Sequence, residues 1–261
     1  MHAAQREQLI IEMLVERGFV SFPELDKRID ASPATIRRDL EKLEQSGRII
    51  RVRGGARLAR AEDSEPDASH LRGVPFHENL SRNRPAKEAI GRAAAQLCRS
   101  GDSIIIDGGS TTLQMCPYLA PLSLHVLTNS LHIASALLPQ QNTSISVPAG
   151  TVFREQNIIL SPYESDGTER YRASRMFMGA SSVGSHGVMQ TDVILVQAER
   201  RLIGLADELV ILVDSSKFEA PTGHVVCSLG DVAVLITDDR ITDATAQMVE
   251  RKVGRLIVAS Q

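Results

Sequence analysis

The chain has 261 residues, 43% of them hydrophobic and 23% charged, a composition typical of a globular protein with room for two domains. It contains no apolar run of membrane-helix length, and its charged N-terminal stretch lacks a signal-peptide core. We therefore expect a cytoplasmic protein with no membrane partner. The cysteines are far apart and the histidines lack metal-ligand spacing, so we expect no metal site and no cofactor.

Charge is unevenly distributed along the chain. Residues 1–60 hold 12 Lys/Arg and 9 Asp/Glu, a balance of +3, whereas the remainder holds 17 and 23, a balance of −6. A basic head on an acidic body is expected when only the head contacts nucleic-acid phosphates.

The first 59 residues predict three short helices. Residues 5–17 carry apolar side chains at helical spacing. Ser21 and Glu24 have the spacing of a capping box, which predicts the start of a second helix. Ser32-Pro33 suits the N-cap and first turn of a third helix, which Gly47 ends.

A hairpin is predicted to follow, because two short extended runs flank Arg53-Gly54-Gly55. Three helices and a hairpin make a winged helix-turn-helix, an α+β domain in which the last helix enters the DNA major groove and the wing can touch the backbone beside it. The candidate DNA-binding residues lie on the third helix and the wing: Ser32, Pro33, Thr35, Arg37, Arg38, Lys42, Arg51 and Arg53.

Residues 60–75 are polar, contain two prolines and predict a linker. Residues 76–261 predict a second domain, in which short apolar runs alternate with helical segments. These runs are SIIID, LHVLTN, TSISVPAG, RMFMGA, LVILVD and VAVLIT. The alternation favours an α/β domain with a mainly parallel sheet.

Polar residues and glycines follow five of the predicted strands, at DGGSTT (107–112), TNS (128–130), PAG (148–150), GASS (179–182) and DSSK (214–217). Turn chemistry alone enriches such loops in these residues, so one loop indicates little. Ligands of parallel sheets bind beyond the carboxyl ends of the strands, so five such loops together favour a site for a small polar anion. Glycine amides and Lys217 suit a phosphate, and Asp107 and Asp214 suit sugar hydroxyls.

These segments resemble the DeoR/GlpR family of bacterial transcription regulators over essentially the whole chain. The head is similar to the family's helix-turn-helix in SPATIRRDLEKLEQSGRIIRVRGGA, and the body is similar to its sensor domain in DGGSTT, TNS, PAG, GASSV and VDSSKF. The resemblance implies a sensor fold similar to ribose-phosphate isomerase. It also implies a non-enzymatic repressor of a sugar-catabolic operon that binds double-stranded operator DNA as a dimer or tetramer and is released by a phosphorylated sugar.

With the resemblance, the predicted effector-binding residues are Lys87, Asp107, Gly108, Gly109, Ser110, Thr111, Thr112, Thr128, Asn129, Gly150, Gly179, Asp192, Asp214 and Lys217. The chain departs from the family in TDVILVQAERR, where Glu199 stands at the usual position of a lysine. This segment is more similar to the subgroup containing the ascorbate-utilisation repressor, so an ascorbate phosphate or another unusual sugar phosphate remains open as effector.

Two alternatives stay open at this point. A sugar-phosphate isomerase-like enzyme with an appended DNA-binding domain would need a base beside a carbonyl, and the candidates are Asp107, Asp192 and Glu199. Fold analogy alone does not carry function, so we favour the regulator. The sequence leaves the choice between repressor and activator open.

Overall fold

The computed structural model describes residues 2–17, 19–45, 48–52, 55–58, 76–154, 156–161, 165–219 and 223–260. The chain divides into two compact units, Met1–Asp67 and Ala68–Gln261. The predicted linker, residues 60–75, lies outside the described residues. Among the residues that are described, no helix is long and apolar enough to cross a membrane.

The first unit contains three helices and a small antiparallel sheet of order β1-β3-β2. Its elements are α1 Ala3–Arg17, β1 Phe19–Ser21, α2 Phe22–Arg28, α3 Pro33–Gln45, β2 Ile49–Val52 and β3 Gly55–Leu58. The three predicted helices and the hairpin are therefore present. Strand β1 was not predicted, because three residues are too short to display the alternation that marks a strand.

One apolar core holds the three helices together. Leu14 of α1, Leu25 of α2 and Ile36 of α3 are fully buried in it. An ion pair also joins the first and third helices, since Arg6 Nε lies 2.6 Å from the carboxylate of Asp39, which is 3% exposed. The core and this ion pair fix α3, so the opposite face of α3 is left to solvent.

The second unit is a three-layered α/β domain. Its elements are α4 Phe76–Ser81, α5 Arg84–Ala95, β4 Ser103–Ile106, β5 His125–Leu127, α6 Leu131–Leu137, β6 Ser144–Ser146, β7 Thr151–Phe153, β8 Ile158–Leu160, β9 Ala173–Met178, β10 Ser182–Gly184, β11 Gly187–Gln190, α7 Val193–Ile203, β12 Ala206–Leu212, β13 His224–Cys227, β14 Val234–Asp238, α8 Asp243–Glu250 and β15 Arg255–Ala259. The central sheet is parallel, with the order β15-β14-β12-β9-β4-β5-β6. This confirms the predicted fold class.

The central sheet is covered on both faces. Ile90 of α5 and Ile133 of α6 belong to one buried cluster, and Val196 of α7 and Val249 of α8 belong to the other. The strands are buried between these clusters, which explains their continuous apolar runs. Two smaller antiparallel sheets, β7-β8 and β10-β11-β13, complete the unit.

The strand order changes direction at the centre of this sheet. Strands β4 and β9 are neighbours, but the chain leaves β4 for β5 on one side and leaves β9 for β12 on the other. The loops after β4 and β9 therefore diverge and leave a crevice at their carboxyl ends. In open α/β sheets this crevice is the usual place for a ligand.

Candidate functional site

The third helix of the first unit presents a basic exposed face. Arg37, Arg38 and Lys42 are exposed, and the Arg37 guanidinium carbon lies 5.2 Å from the centre of the Phe22 ring. These cations are available to a polyanion, because the apolar core takes up the other face of the helix.

The residues at the start of α3 build the helix cap. Thr35 N–H donates to Ser32 Oγ at 3.2 Å, and the two hydroxyl oxygens lie 2.9 Å apart. Ser32 and Pro33 are exposed at the start of the helix, whereas Lys42 lies in its last turn. Of the predicted wing residues, Arg51 lies in β2 opposite Ala56, and Arg53 lies outside the described residues.

The second unit contains a cavity of about 420 Å³ at the carboxyl ends of the central strands. This volume suits a ligand of sugar-phosphate size. The cavity brings together most of the predicted effector residues: Lys87, Asp107, Gly108, Gly109, Ser110, Thr111, Asn129, Gly179, Asp214 and Lys217.

Asp107 is anchored at the floor of this cavity, directly after β4. Asn129 Nδ2 donates to Asp107 Oδ1 at 2.7 Å, and Asn129 Oδ1 accepts from the Gly108 N–H at 2.8 Å. Thr112 Oγ1 donates to the Asp107 carbonyl at 2.8 Å. Burial raises the pKa of Asp107 to about 6, although the hydrogen bonds from Asn129 and Gly108 lower it in part.

The loop after Asp107 offers backbone donors. The N–H groups of Gly109 and Ser110 have no acceptor among the described residues, and both residues line the cavity. The loop continues into a seven-residue 3-10 helix, Thr112–Tyr118. Loop amides, rather than the dipole of a long helix, are therefore the donors here.

Two lysines from distant parts of the chain line the same cavity. Lys87 is 3% exposed and donates to the Asn79 carbonyl, and Lys217 follows Asp214 in a short 3-10 helix. Burial lowers the pKa of Lys87 to about 8, against the opposing influence of Asp214. Lys217 and Arg82 also lower the pKa of Lys87, so both cations lie close enough to Lys87 to repel its charge, and together they can attract an anion.

Four predicted effector residues do not line the cavity, and each has a structural role instead. Thr112 is fully buried and holds the loop through the Asp107 and Gly109 carbonyls. Thr128 Oγ1 accepts from the Ser130 N–H at 3.1 Å. Asp192 caps α7 by accepting from the Ile194 N–H at 2.8 Å. Gly150 packs beside β8, where an added Cβ would lie 2.4 Å from the Leu160 carbonyl oxygen.

Several lining residues were not predicted. Asn83 lies in the turn before α5 with φ 51°, and its Nδ2 donates to Asp214 Oδ1 at 2.9 Å. Nothing in the sequence marks Asn83 as a cavity residue, because it precedes β4, the first strand of the second unit, and lies 131 positions from Asp214. Gln190 and Glu199 also line the cavity. The sequence marked Glu199 as a departure from the family pattern and as a candidate base of the enzyme alternative, but did not predict its burial.

Gln190 and Glu199 form a buried polar pair. Gln190 Nε2 donates to Glu199 Oε1 at 2.6 Å, and Ser181 Oγ donates to Gln190 Oε1 at 2.6 Å. Burial, and secondarily the charge of Asp107, raise the pKa of Glu199 well above its ordinary value. Among the described residues, no group of three or more His, Cys, Asp or Glu side chains is arranged to hold a metal ion.

Comparison with known proteins gives a family match for each of the two units. Residues 6–62 match the DeoR-like helix-turn-helix domain, and residues 82–239 match the DeoR C terminal sensor domain. The chain is 32% identical to the HTH-type transcriptional regulator UlaR of Shigella dysenteriae serotype 1 over 250 residues, 96% of each chain. It is 31% identical to UlaR of Escherichia coli, again over 250 residues and 96% of each chain.

Solved structures overlap the chain less closely. A ribose 5-phosphate isomerase A from Methanocaldococcus jannaschii has a TM-score of 0.39 and 19% identity, covering 52% of this chain and 55% of its own. The eIF2B delta subunit from Chaetomium thermophilum has a TM-score of 0.42 and 12% identity, and the match covers 98% of this chain and 70% of that subunit.

The two family matches cover both units, and the curated relatives span nearly the whole length of the chain with a regulator's name. The chain therefore belongs to the DeoR family of helix-turn-helix transcriptional regulators, and it is a regulator rather than an enzyme.

Proposed function

We propose that this regulator is a repressor of an operon for the catabolism of a sugar or sugar derivative. In this proposal, α3 and the wing bind double-stranded operator DNA. A phosphorylated sugar binds in the cavity of the second unit and releases the protein from the DNA. The observation that carries the proposal is the cavity, which combines Lys87, Lys217 and free loop amides with buried carboxylates.

The cavity suits a ligand with two chemically different ends. Two lysines and the Gly109 and Ser110 amides would hold the phosphate, since charge-assisted hydrogen bonds to an oxyanion are the strongest of their kind. Asp107, held by Asn129, would accept hydrogen bonds from sugar hydroxyls. The similarity to the ascorbate-utilisation subgroup adds an ascorbate phosphate to the candidate effectors.

The proposed DNA contact rests on the basic face of α3. Arginine side chains can donate two hydrogen bonds to a guanine edge, and lysines neutralise phosphates. We also propose that the DNA-binding form is a homo-oligomer, a dimer or tetramer, because a pseudo-palindromic operator requires two recognition helices.

A thermal-shift screen tests the effector class. The full-length protein is heated with ribose 5-phosphate, xylulose 5-phosphate, fructose 6-phosphate, glucose 6-phosphate or ascorbate 6-phosphate, and with each unphosphorylated parent. We expect at least one phosphate ester, and no parent, to raise the melting temperature. A ligand at a hundred times its Kd stabilises by about 2.7 kcal/mol.

A lysine pair serves as the matched control. Lys217→Ala removes a cavity cation, whereas Lys252→Ala removes an exposed lysine that donates to the Ser185 carbonyl and does not line the cavity. We expect only Lys217→Ala to lose the ligand-induced shift. A parent sugar that stabilises as well as its phosphate, or an unaffected Lys217→Ala variant, would contradict the proposed effector class.

A further inference from the structure

Glu199 is a cavity carboxyl with a buried oxygen atom that has no hydrogen-bond partner among the described residues. Its side chain lines the cavity on α7 and is 3% exposed. Oε1 accepts from the Gln190 amide, but Oε2 has no hydrogen-bond partner among the described residues. Leaving a buried polar atom without a partner is costly, and such atoms in native proteins call for an explanation.

The surroundings of Glu199 exclude a structural ion pair as that explanation. The cations that line the cavity are Arg82, Lys87 and Lys217. Arg82, Lys217 and Asp214 act on the pKa of Lys87, whereas the charge that acts on the pKa of Glu199 is that of Asp107. Asp107 is therefore the charged group that acts on Glu199, and none of the three cavity cations does.

The pair of Gln190 and Glu199 is also held in place. Ser181 Oγ and the Glu199 carboxylate occupy both ends of the Gln190 amide, which fixes the orientation of the Glu199 carboxyl. A fixed carboxyl with one bonded and one unbonded oxygen offers a ligand a directional hydrogen-bonding position. A hydroxyl group suits it in either protonation state, because a hydroxyl both donates and accepts.

We propose that Glu199 Oε2 binds a hydroxyl group of the effector, at the part of the cavity away from Lys87 and Lys217, and that Glu199 is thereby a specificity-determining residue. The proposal rests on the proposed function, in which the two lysines hold the phosphate. It narrows the effector to a phosphate ester with a free hydroxyl far from its phosphorylated end. Asp107 and Glu199 would then recognise the sugar from two sides.

The test measures ligand affinity by isothermal titration calorimetry. The probe is the sugar phosphate that stabilises the full-length protein most in the screen above, together with its mono-deoxy analogues. We expect the wild type to bind at least one analogue about tenfold more weakly, the loss that corresponds to an unsatisfied buried polar group. In Glu199→Leu this discrimination should fall to less than about threefold, because leucine offers no hydrogen bond to the hydroxyl that the probe carries and the analogue lacks.

Two further variants separate recognition from folding and from phosphate binding. Glu199→Gln keeps the shape and a polar terminus, so it should retain the discrimination. Lys217→Ala should weaken the binding of the probe and of its analogues by the same factor. If Glu199→Leu does not fold, NMR of the wild-type protein labelled with ¹³C at its glutamate carboxyls still tests the proposal. The Glu199 signal is assigned by its loss in Glu199→Gln. It should shift when the hydroxylated probe binds and much less when the analogue binds.

The two proposals fail in different ways. If no sugar phosphate binds the wild type, the proposed function is overturned, and this inference with it. If the probe binds but Glu199→Leu discriminates as the wild type does, or the Glu199 signal does not move, the inference is wrong and the proposed function stands.

Discussion

At the scale of single residues, Asp107 links the cavity to the stability of the second unit. Burial raises the pKa of this carboxyl to about 6, above the ordinary value of 3.8. The folded protein therefore keeps the proton over a pH range in which the unfolded chain has lost it. The contribution of the protonated Asp107 carboxyl to the free energy of unfolding is complete below about pH 4 and is lost as the pH rises to about 6.

This linkage predicts the pH dependence of an Asp107→Asn variant. From about pH 4 to about pH 6 the free energy of unfolding of the wild type should fall relative to the variant, by about 1.4 kcal/mol per pH unit and about 3 kcal/mol in all. Urea unfolding of both proteins at several pH values measures the difference. Parallel profiles would mean that Asp107 is ionised as in water.

Single residues also show which parts of the cavity can be predicted from the sequence. Asp107, Gly109 and Lys217 were predicted to lie together because they follow strands, and the carboxyl ends of parallel strands meet at one edge. Asn83 lies before β4, the first strand of the second unit, and Glu199 lies inside α7. Neither residue follows a strand, so the pattern of strand ends does not predict either one. Their place in the cavity depends on packing between segments that are far apart in the chain.

At the scale of elements, α5 sets the position of the loop that follows β4. A Cβ added to Gly91 of α5 would lie 2.5 Å from the backbone carbon of Gln114, in the 3-10 helix that continues this loop. The two elements approach so closely that only glycine fits between them.

Gly91→Ala should therefore destabilise the protein by about 1–3 kcal/mol, the usual cost of overpacking, and should weaken ligand binding by displacing Ser110 and Thr111. Gly204→Ala is the matched control, since its Cβ would lie 3.5 Å from the Arg201 carbonyl oxygen, an ordinary contact. Urea unfolding compares the two variants. Equal stability would show that α5 and the 3-10 helix can move apart at no cost.

The recognition helix gives a second prediction at this scale. Arg38→Ala should weaken specific DNA binding by about 1–3 kcal/mol if this arginine contacts a base. It should leave the melting temperature unchanged, because the side chain is exposed. Fluorescence anisotropy with DNA selected from a random library measures the affinity, and Arg255→Ala on β15 is the control. An unchanged affinity in Arg38→Ala would remove this residue from the proposed interface.

The elements themselves were predicted unequally. Both the capped α3 and the six apolar runs of the central sheet carry strong local patterns, and all are present. Strands β1, β7 and β10 have three residues each and lie outside these six runs, unlike β5 and β6, which are as short. The segment after Thr111 forms a 3-10 helix rather than an α-helix, and Pro117 lies inside it, where it removes a backbone donor.

At the scale of the whole molecule, the chain contains two units with different charge balances. The basic balance of residues 1–60 suits phosphate contacts, and the acidic remainder suits a unit that does not touch DNA. DNA affinity should therefore fall steeply with salt, whereas affinity for the effector should fall less, since fewer phosphate charges are neutralised.

In the proposed mechanism, a sugar phosphate in the cavity controls DNA binding. Its most direct test is the fluorescence anisotropy of selected DNA with the wild type and Lys217→Ala, titrated with the sugar phosphate found in the thermal-shift screen. We predict equal DNA affinity for both proteins without ligand, and release of only the wild type as ligand is added. Ligand-saturated wild type that stays bound to DNA, or release of both proteins at the same ligand concentration, would contradict the account.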